Sequence, residues 1–562
     1  MDSPNLSFPN DPIFTQLASL SRNISNVIIH DDYGIHEGYK GLLGDIIHLR
    51  QVLREQLPHH WFDGRGILGS DATPIASIAA SGYYFLVGFL AVAAIGGKFV
   101  PLPITGPLTM TAWALDKTDI TFCLSEPNVA TQATAIEDHM NAAGRRLQIL
   151  PIERAGSSSH TTMEIDDSIT IPKSDTLLVL FTSGSTGRPK GVALPRERFF
   201  FQGQQDPTGL FLGFRPLNYI GSVILPITNV LQGGGVRFLR HGSGVSHIWE
   251  AFKESNITSS SITPIALKAL QDHYLTTISH LPSEECAAYV SGISRLRLVI
   301  TAGSILNPDT AKFWRKLTNM PIVPAFSTTE LGGPTITVPL GTPFIDRLMG
   351  EPIRGAEVKV SGGDIGELCI KVHGMFTHYL GDEEATKSAF DNEGFYKTGD
   401  IVRQVGNQYF YEGRASCDWI RYSSFTISVI ELEQRLNSLP YISEAHVLPV
   451  MNYEVRELVA AVVRLQTMGL DQKDALEVNL QKIRQDLSST TEIYKLPALL
   501  RILKSEEGTP VTASGKPLKN KMRETFFQKS SDPKSTYAVP GVEFWESAVD
   551  LNFVLKARNL AK

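Results

Sequence analysis

A loop rich in glycine and hydroxyl residues is the strongest sign of chemistry in this chain. The mostly apolar segment Thr176–Phe181 precedes it, and residues 182–191 then read Thr-Ser-Gly-Ser-Thr-Gly-Arg-Pro-Lys-Gly. Glycines let a backbone approach phosphate groups closely, and hydroxyls and free backbone N–H groups can donate hydrogen bonds to phosphate oxygens. The segment therefore predicts a phosphate-binding loop that follows a buried strand.

The spacing in this loop differs from that of the common phosphate loop of nucleotide hydrolases. In that loop the second glycine comes five positions after the first and precedes Lys and then Ser or Thr. Here Gly187 comes three positions after Gly184, and Lys190 precedes Gly191. An ordinary P-loop nucleotidase is therefore disfavoured. The strand before the loop and the closing Lys-Gly also argue against a plain Ser/Gly surface loop.

Five further segments occur in an order that matches one enzyme superfamily. They are 96–102 (Gly-Gly-Lys-Phe-Val-Pro-Leu), 326–330 (Phe-Ser-Thr-Thr-Glu), 396–400 (Tyr-Lys-Thr-Gly-Asp), 413–414 (Gly-Arg) and 514–516 (Ser-Gly-Lys). With the loop, they resemble the adenylate-forming superfamily of acyl-CoA synthetases, luciferases and peptide-synthetase adenylation domains. The resemblance covers roughly residues 75 to 525, and residues 413–433 are most similar to the malonyl-CoA synthetase and acyl-CoA synthetase branch.

The elements along the chain indicate an α/β fold. Residues 82–95 read as a buried helix, and residues 99–102, 176–181 and 296–301 read as buried strands. Short alternating strands with Gly-rich turns begin at about residue 342 and indicate a β-rich subdomain. We expect a large N-terminal α/β domain at 1–412 with that subdomain at about 342–412, a small mobile C-terminal α+β domain at 413–530, and a tail at 531–562.

The resemblance implies roles for individual residues. Glu330 and Thr186 would bind Mg²⁺, Thr329 would contact the α-phosphate, and Asp400 would accept hydrogen bonds from the ribose hydroxyls. Lys516, Glu330 and Thr186 are the implied catalytic residues. The implied nucleotide-binding residues are Thr182, Ser183, Gly184, Ser185, Thr186, Gly187, Lys190, Ala302, Gly303, Ser304, Ser327, Thr328, Thr329, Asp400, Arg414 and Lys516.

The implied reaction explains why such residues are needed. A substrate carboxylate attacks the α-phosphorus of ATP while magnesium pyrophosphate leaves, so two anions meet and cations must offset their charge. Lys516 would provide that charge in the first half-reaction. The small domain would then rotate about a hinge after Arg414 and bring the strand near Arg421 to the site, where the thiol of coenzyme A takes the acyl group.

Several alternatives stay open. Ser424 and Ser327 stand where the superfamily usually has glycine, which bears on access of the thiol. An acyl-AMP ligase that loads the phosphopantetheine of a separate carrier protein and a non-catalytic nucleotide-binding scaffold are the competing functions. Arg237 and Arg240 could pair with a second carboxylate of the acid or could lie on a solvated strand face. The sequence does not identify the acid.

Composition limits the other function classes. The chain has 562 residues, a formal net charge of −6 and no long run of Lys and Arg, so nucleic acid is not an expected partner. Its four cysteines have neither metal-ligand nor disulfide spacing, which indicates an intracellular protein. The N-terminus does not read as a secretory signal, and the most apolar stretch is too short to span a membrane. We expect a small carboxylic acid as partner, with ATP, Mg²⁺ and coenzyme A.

Overall fold

The computed structural model describes most of the chain, in twelve segments. They are residues 7–105, 108–155, 163–182, 189–201, 208–414, 418–423, 425–452, 455–466, 478–504, 506–511, 517–527 and 540–549. The chain divides into two compact units, Met1–Val358 with Ile370–Tyr396 and Lys359–Cys369 with Lys397–Lys562. The domain boundary at residue 413 stays a prediction.

Helices and strands alternate along the described residues. The helices are α1 (Pro12–Asn23), α2 (Tyr39–Gln56), α3 (Gly82–Ala94), α4 (Leu108–Lys117), α5 (Ala130–Ala142), α6 (Ile220–Leu231), α7 (Val245–Glu254), α8 (Pro264–Thr276), α9 (Ser283–Ile293), α10 (Pro308–Thr318), α11 (Glu383–Ala389), α12 (Val429–Asn437), α13 (Leu480–Leu487) and α14 (Lys519–Phe526). The strands are β1 (Phe8–Pro9), β2 (Ile29–Asp31), β3 (Ile35–Glu37), β4 (Ile75–Ile78), β5 (Phe99–Pro101), β6 (Phe122–Ser125), β7 (Gln148–Pro151), β8 (Ile165–Asp166), β9 (Thr176–Phe181), β10 (Gly191–Pro195), β11 (Leu210–Gly213), β12 (Gly235–Phe238), β13 (Ser259–Ser261), β14 (Leu298–Thr301), β15 (Ile322–Thr328), β16 (Gly333–Thr337), β17 (Leu348–Pro352), β18 (Ala356–Ser361), β19 (Ile365–Val372), β20 (His378–Tyr379), β21 (Tyr396–Val405), β22 (Gln408–Arg414), β23 (Trp419–Tyr422), β24 (Phe425–Ser428), β25 (Ile442–Asn452), β26 (Arg456–Leu465), β27 (Leu499–Ile502) and β28 (Val542–Phe544). The predicted α/β class is confirmed.

Two large sheets form the first unit. One has the strand order β20-β10-β9-β5-β4-β6-β7, and the other contains the run β17-β16-β15-β14-β13-β11-β12-β2-β3. Parallel pairs dominate both sheets, and helices connect most of the parallel strands. Helical crossovers of this kind cover the sheets with helices and bury the strands on both faces.

Helix α3 contacts both sheets of the first unit. Every residue of α3 is buried, as expected for a helix with no polar face. Phe89 packs edge-on against Phe99 of β5, and a Cβ on Gly82 would overlap the ring of Phe238 on β12. Glycine is thus required at the start of α3, where the second sheet approaches most closely. The predicted buried helix is confirmed.

Five neighbouring parallel strands of the second sheet set the position of the candidate site. Strands β12, β11, β13, β14 and β15 lie side by side in this order. Because parallel strands end at the same edge of a sheet, the residues that follow them meet along that edge, and ligands of open α/β sheets bind there. The residues in question are Arg215 after β11, residues 302–304 after β14, and residues 327–330 at the end of β15.

The second unit contains two groups of paired strands. In the first, β19 lies next to β21, which forms an antiparallel pair with β22 in which Asp400 is opposite Arg414. The second has the order β24-β23-β26-β27-β28, and β25 pairs with β26. Apolar side chains of this last sheet and of α12, α13 and α14 form one core of the second unit, which includes Leu432, Ile483 and Met522.

The predicted elements agree with the structure except at their ends. Strand β5 ends at Pro101 rather than at residue 102, and β14 begins at Leu298 rather than at residue 296. Helix α3 ends at Ala94, one residue before the predicted end at residue 95. No helix in the described part of the chain is both long and apolar enough to cross a membrane.

Candidate active site

The two ends of the phosphate-loop segment are held together by β9 and β10. These strands form an antiparallel pair in which Phe181 is opposite Gly191, and the backbone N–H of Thr182 donates to the carbonyl of Lys190 over 3.0 Å. Lys190 Nζ lies 4.7 Å from the ring centroid of Tyr379, an arrangement in which the ring face attracts the cation. The segment therefore leaves and rejoins the sheet at a fixed point.

Glu330 is held by its side chain and by its backbone. Tyr379 donates its hydroxyl proton to Glu330 Oε1 over 2.9 Å, and the backbone N–H of Phe376 donates to the Glu330 carbonyl over 2.7 Å. Strand β20 carries Tyr379 and pairs with β10, where Tyr379 is opposite Val192. Glu330 Oε2 has no hydrogen-bond partner within the part of the chain that the structure describes. One carboxylate oxygen is thus positioned and the other can take a ligand.

Arg198 supports the turn that follows Glu330. Its Nε donates to the carbonyl of Gly332 over 2.8 Å, and burial lowers the pKa of this guanidinium to about 10. Gly332 has a φ of +71°, and a Cβ at this position would lie 2.8 Å from Arg198 Nε. The turn therefore requires glycine both for its backbone conformation and for the close approach of the arginine.

Two buried hydroxyls lie at the carboxyl ends of neighbouring strands. Ser327 is near the end of β15 and Thr301 is the last residue of β14. Neither Oγ has a hydrogen-bond partner among the described residues. Buried polar atoms are nearly always paired, so these two hydroxyls indicate a site for a polar group at this edge.

The predicted adenine segment follows β14 directly. Gly303 has a φ of +95°, a conformation that favours glycine, and no heavy atom lies within 4 Å of the Cβ position. At β15, the Thr329 carbonyl accepts from Gly332 N over 3.0 Å, and Thr328 Oγ1 accepts from Leu331 N over 3.3 Å. The structure thus brings residues 302–304 and 327–330 to the ends of two adjacent strands.

Asp400 and Arg414 belong to the second unit and lie opposite each other. Arg414 Nε is 3.8 Å from Asp400 Oδ1, and Tyr411 donates its hydroxyl to the same oxygen over 3.3 Å. Asp418 joins this group, since its Oδ2 accepts from the Arg414 N–H over 3.0 Å. The nearly buried carboxylate of Asp400, 6% exposed, is therefore oriented by two neighbours.

The arginines considered for a second carboxylate have other partners. Arg237 lies on β12, pairs with Asp32 over 3.5 Å and also donates to Ser255 Oγ. Arg240 donates to the carbonyl of Asp32 over 3.3 Å. Both guanidinium groups are thus engaged within the protein, which disfavours the hypothesis that they recognise the acid.

Comparison with known proteins establishes the family. Residues 60–380 match the family described as AMP-binding enzyme. This chain belongs to the AMP-binding enzyme family. The acyl-CoA ligase oryP of Aspergillus oryzae is 32% identical over 531 residues, which cover 93% of each chain. A malonate-CoA ligase of Arabidopsis thaliana is 24% identical and covers 80% of this chain and 78% of its own length.

Solved structures show that this AMP-binding enzyme shares a known fold. MatB from Rhodopseudomonas palustris with ATP bound aligns with a TM-score of 0.72 at 20% identity, over 91% of this chain and 98% of MatB. The o-succinylbenzoate CoA synthetase MenE from Bacillus subtilis aligns with a TM-score of 0.71 at 18% identity, over 92% of this chain and 98% of MenE. The predicted fold class and the predicted superfamily are both confirmed.

The relatives also bear on the activity of this AMP-binding enzyme. Those named acyl-CoA ligase and malonate-CoA ligase confirm the prediction of an AMP-forming acid–thiol ligase that uses ATP, Mg²⁺ and coenzyme A. The individual site residues stay predictions. Seven of the residues discussed above lie outside the described part of the chain: Ser183, Gly184, Ser185, Thr186, Gly187, Ser424 and Lys516.

Sequence reasoning missed three residues that this AMP-binding enzyme places at its site. Tyr379 and Arg198 act on the segment around Glu330 from 49 and 134 positions away, respectively, and Tyr411 orients Asp400 from the neighbouring strand. No local pattern indicates the first two. Tyr411 could have been found, because a tight β21–β22 hairpin brings residues before and after the turn opposite each other.

Proposed function

We propose that this AMP-binding enzyme activates a carboxylic acid with ATP as an acyl-adenylate and then transfers the acyl group to the thiol of coenzyme A. The observation that supports this most directly is the position of Glu330. It follows β15, next to the segment 302–304 after β14, and one of its carboxylate oxygens has no hydrogen-bond partner among the described residues. Nucleotides bind at the carboxyl ends of parallel strands, and a carboxylate at that edge can hold the Mg²⁺ ion that accompanies a nucleotide substrate.

The residues of the first unit take separate roles in this proposal. Glu330 Oε2 would bind Mg²⁺, for which carboxylate oxygens are preferred ligands. When bound, the ion supplies charge that offsets the phosphate oxygens. Thr329 would contact the α-phosphate, residues 302–304 would line the adenine, and the hydroxyl of Ser327 would donate to the nucleotide. Thr182 and Lys190 fix the two ends of the phosphate loop.

In the second unit we assign Asp400 to the ribose hydroxyls. A carboxylate can accept from two neighbouring hydroxyl donors, and Tyr411 and Arg414 hold Asp400 in one orientation for this purpose. Arg414 would keep Asp400 oriented. Lys516, which we assign to the charge shared by the carboxylate and the α-phosphate, lies outside the described residues.

Acid-dependent exchange of pyrophosphate into ATP tests the first half-reaction. We expect exchange with at least one acid in a panel of aliphatic, aromatic, dicarboxylic and tricarboxylic acids. The variant Glu330→Gln should lose most of this exchange, while Glu384→Gln, the same change at an exposed residue of α11, should retain it. A wild-type protein that binds ATP but gives no exchange with any acid would support the scaffold function instead.

Release of AMP that depends on coenzyme A tests the second half-reaction. We expect AMP and acyl-CoA in equal amounts when coenzyme A is added to enzyme, ATP and acid. Exchange without CoA-dependent AMP release would favour transfer to the phosphopantetheine of a carrier protein, which a purified carrier would then reveal.

An intracellular location is part of the proposal. Cys123, Cys286 and Cys369 form no disulfide within the part of the chain that the structure describes, which suits a reducing compartment. Detection of the tagged protein in the cytosolic fraction of its source cells would test this location.

A further inference from the structure

Arg215 follows β11 at the same sheet edge as the predicted nucleotide segment. In register, Leu212 of β11 is opposite Ser260 of β13, and Ser260 is opposite Val299 of β14. Arg215 comes three residues after Leu212, and Ala302 comes three residues after Val299. The two residues are therefore level with each other and two strand spacings apart, which is about 10 Å.

The guanidinium of Arg215 is largely enclosed but has no carboxylate partner. In the described part of the chain it forms no ion pair, and its nearest polar contact is Ser261 Oγ at 3.5 Å from Nη1, a weak hydrogen bond. Burial lowers the pKa of Arg215. Enclosed charges are normally paired, because an unpaired one loses its hydration without compensation.

Arg215 lines a narrow cavity with both polar and apolar walls. The cavity has a volume of about 20 Å³, and its apolar lining includes Ala80, Ile104, Leu217 and Phe238. His241 also lines it, and burial lowers the pKa of this imidazole, which favours its neutral form. Arg215 is therefore the cation of a cavity that also offers apolar side chains to a ligand. A ligand must displace side chains to enter, since the cavity has room for about one water.

The neighbouring arginines do not share this property. Arg237 is paired with Asp32, and the exposed Arg240 donates to the Asp32 backbone. Of these three arginines, Arg215 alone combines a largely enclosed guanidinium with the lack of a carboxylate partner among the described residues, since Arg240 is exposed. This difference makes Arg240 a suitable control.

We propose that Arg215 binds a second anionic group of the acid substrate, so that this enzyme selects acids that carry a carboxylate at each end of an apolar chain. The inference rests on the proposed function, because it assumes that the first carboxylate reacts near residues 302–304 and 327–330. A guanidinium suits the task, since its planar N–H groups can donate two parallel hydrogen bonds to one carboxylate. The separation of about 10 Å favours chains longer than that of malonate.

The test compares dicarboxylic acids with monocarboxylic acids of equal chain length. Malonic, succinic, adipic, suberic and sebacic acids and the matching monoacids are assayed by pyrophosphate exchange with wild-type enzyme, Arg215→Met and Arg240→Met. We expect the wild type to prefer the longer diacids. Arg215→Met should lower kcat/KM for them by about 10- to 100-fold, mainly through KM, while the monoacids lose little or gain. Arg240→Met should behave as the wild type.

Other outcomes separate this inference from the proposed function. If the wild type exchanges monoacids as well as diacids, or if Arg215→Met weakens both classes equally at unchanged melting temperature, the role of Arg215 is wrong although the ligase activity stands. If no acid supports exchange, the proposed function fails. Calorimetric titration of suberic acid into wild-type protein and Arg215→Met then still decides the role of Arg215, because equal affinities would overturn it and weaker binding to the variant would support it. Partial recovery in Arg215→Lys would add support.

Discussion

The hydroxyl of Tyr379 donates a hydrogen bond of 2.9 Å to Glu330 Oε1, and the ring of the same tyrosine lies under Lys190 Nζ at 4.7 Å. One side chain thus contacts both the proposed magnesium ligand and the last cation of the phosphate-loop segment. Tyr379 is a positioning residue in this arrangement, because it acts on the substrate through Glu330 and Lys190.

Removal of the Tyr379 hydroxyl should weaken magnesium use more than it weakens the fold. Tyr379→Phe keeps the ring under Lys190 but frees Glu330 Oε1 to rotate. We expect the Mg²⁺ concentration for half-maximal exchange to rise and the rate at limiting Mg²⁺ to fall by about 10- to 100-fold. Titration of MgCl₂ in the exchange assay measures both quantities.

A matched hydroxyl deletion provides the control. Tyr494 stacks on Phe425 in the second unit, and no described residue accepts a hydrogen bond from its hydroxyl. Tyr494→Phe should leave the Mg²⁺ dependence unchanged. An unaltered Mg²⁺ titration in Tyr379→Phe would show that the hydrogen bond does not position Glu330.

A side chain at position 332 should disturb the turn after Glu330. Gly332→Ala places a Cβ in a left-handed backbone conformation and against Arg198 Nε. The expected loss is about 1–3 kcal/mol of stability together with reduced exchange, measured by denaturant titration and by the pyrophosphate assay. In Gly363→Ala, where φ is +101° and the Cβ position is open, only the backbone strain remains. If the two variants lose equal stability and both keep full exchange, the close approach of Arg198 has no importance for the site.

The two half-reactions should depend on different residues. Lys516→Ala should lower pyrophosphate exchange by at least about 100-fold, because a cation that stabilises developing charge is lost. Conversion of synthetic acyl-AMP and coenzyme A to acyl-CoA should continue, since that step needs no charge at the α-phosphate of ATP. Lys521→Ala, at an exposed position of α14, is the control. Equal loss of both half-reactions in Lys516→Ala would contradict the assignment.

Glu444 should make the second unit more stable at neutral pH than in acid. Burial would raise the pKa of Glu444, but hydrogen bonds from His446, Thr509 and Arg464 outweigh it and bring the pKa to about 2. Because the folded-state pKa lies below the ordinary 4.5, the unfolded chain binds the proton more tightly. This stabilisation is therefore complete above about pH 5 and disappears as the pH falls towards 2.

Melting temperatures measured against pH test the role of Glu444. Glu444→Gln should melt below the wild type at pH 7, and the difference between the two curves should shrink steadily from pH 5 towards pH 2. Glu524→Gln, a change at an exposed residue of α14, should follow the wild type throughout. A constant difference between wild type and Glu444→Gln over this range would show that the charge of Glu444 contributes nothing.

Local pattern was sufficient to predict the elements but not the contacts of the site. The helix at Gly82–Ala94 and the strand at Thr176–Phe181 were predictable because continuous burial leaves a continuous apolar run. The partners of Glu330 were not predictable. Tyr379 lies on β20, which belongs to the other large sheet, and no spacing rule relates Tyr379 to Glu330. For the same reason the sequence left Arg237 as a candidate to bind the substrate. The structure shows that its guanidinium pairs with Asp32, about two hundred positions earlier in the chain.

The prediction of nucleotide residues was limited in a different way. Residues 302–304 and 327–330 could be assigned by resemblance, and the adjacent parallel strands β14 and β15 explain why two distant segments act together. The resemblance gave no role to Arg215, because the property that distinguishes it is an enclosed guanidinium with no carboxylate partner among the described residues. Such a property exists only in three dimensions.

Every residue of helix α3 is buried from solvent, and both sheets of the first unit pack against this helix. The sheets cannot part without exposing thirteen residues that are apolar or aromatic for the most part, so the first unit should open as one cooperative block. The amide hydrogens of this helix should be among the last in that unit to exchange with deuterium. Mobility for substrate entry must then arise at the sheet edge, where the loops are, and not between the layers.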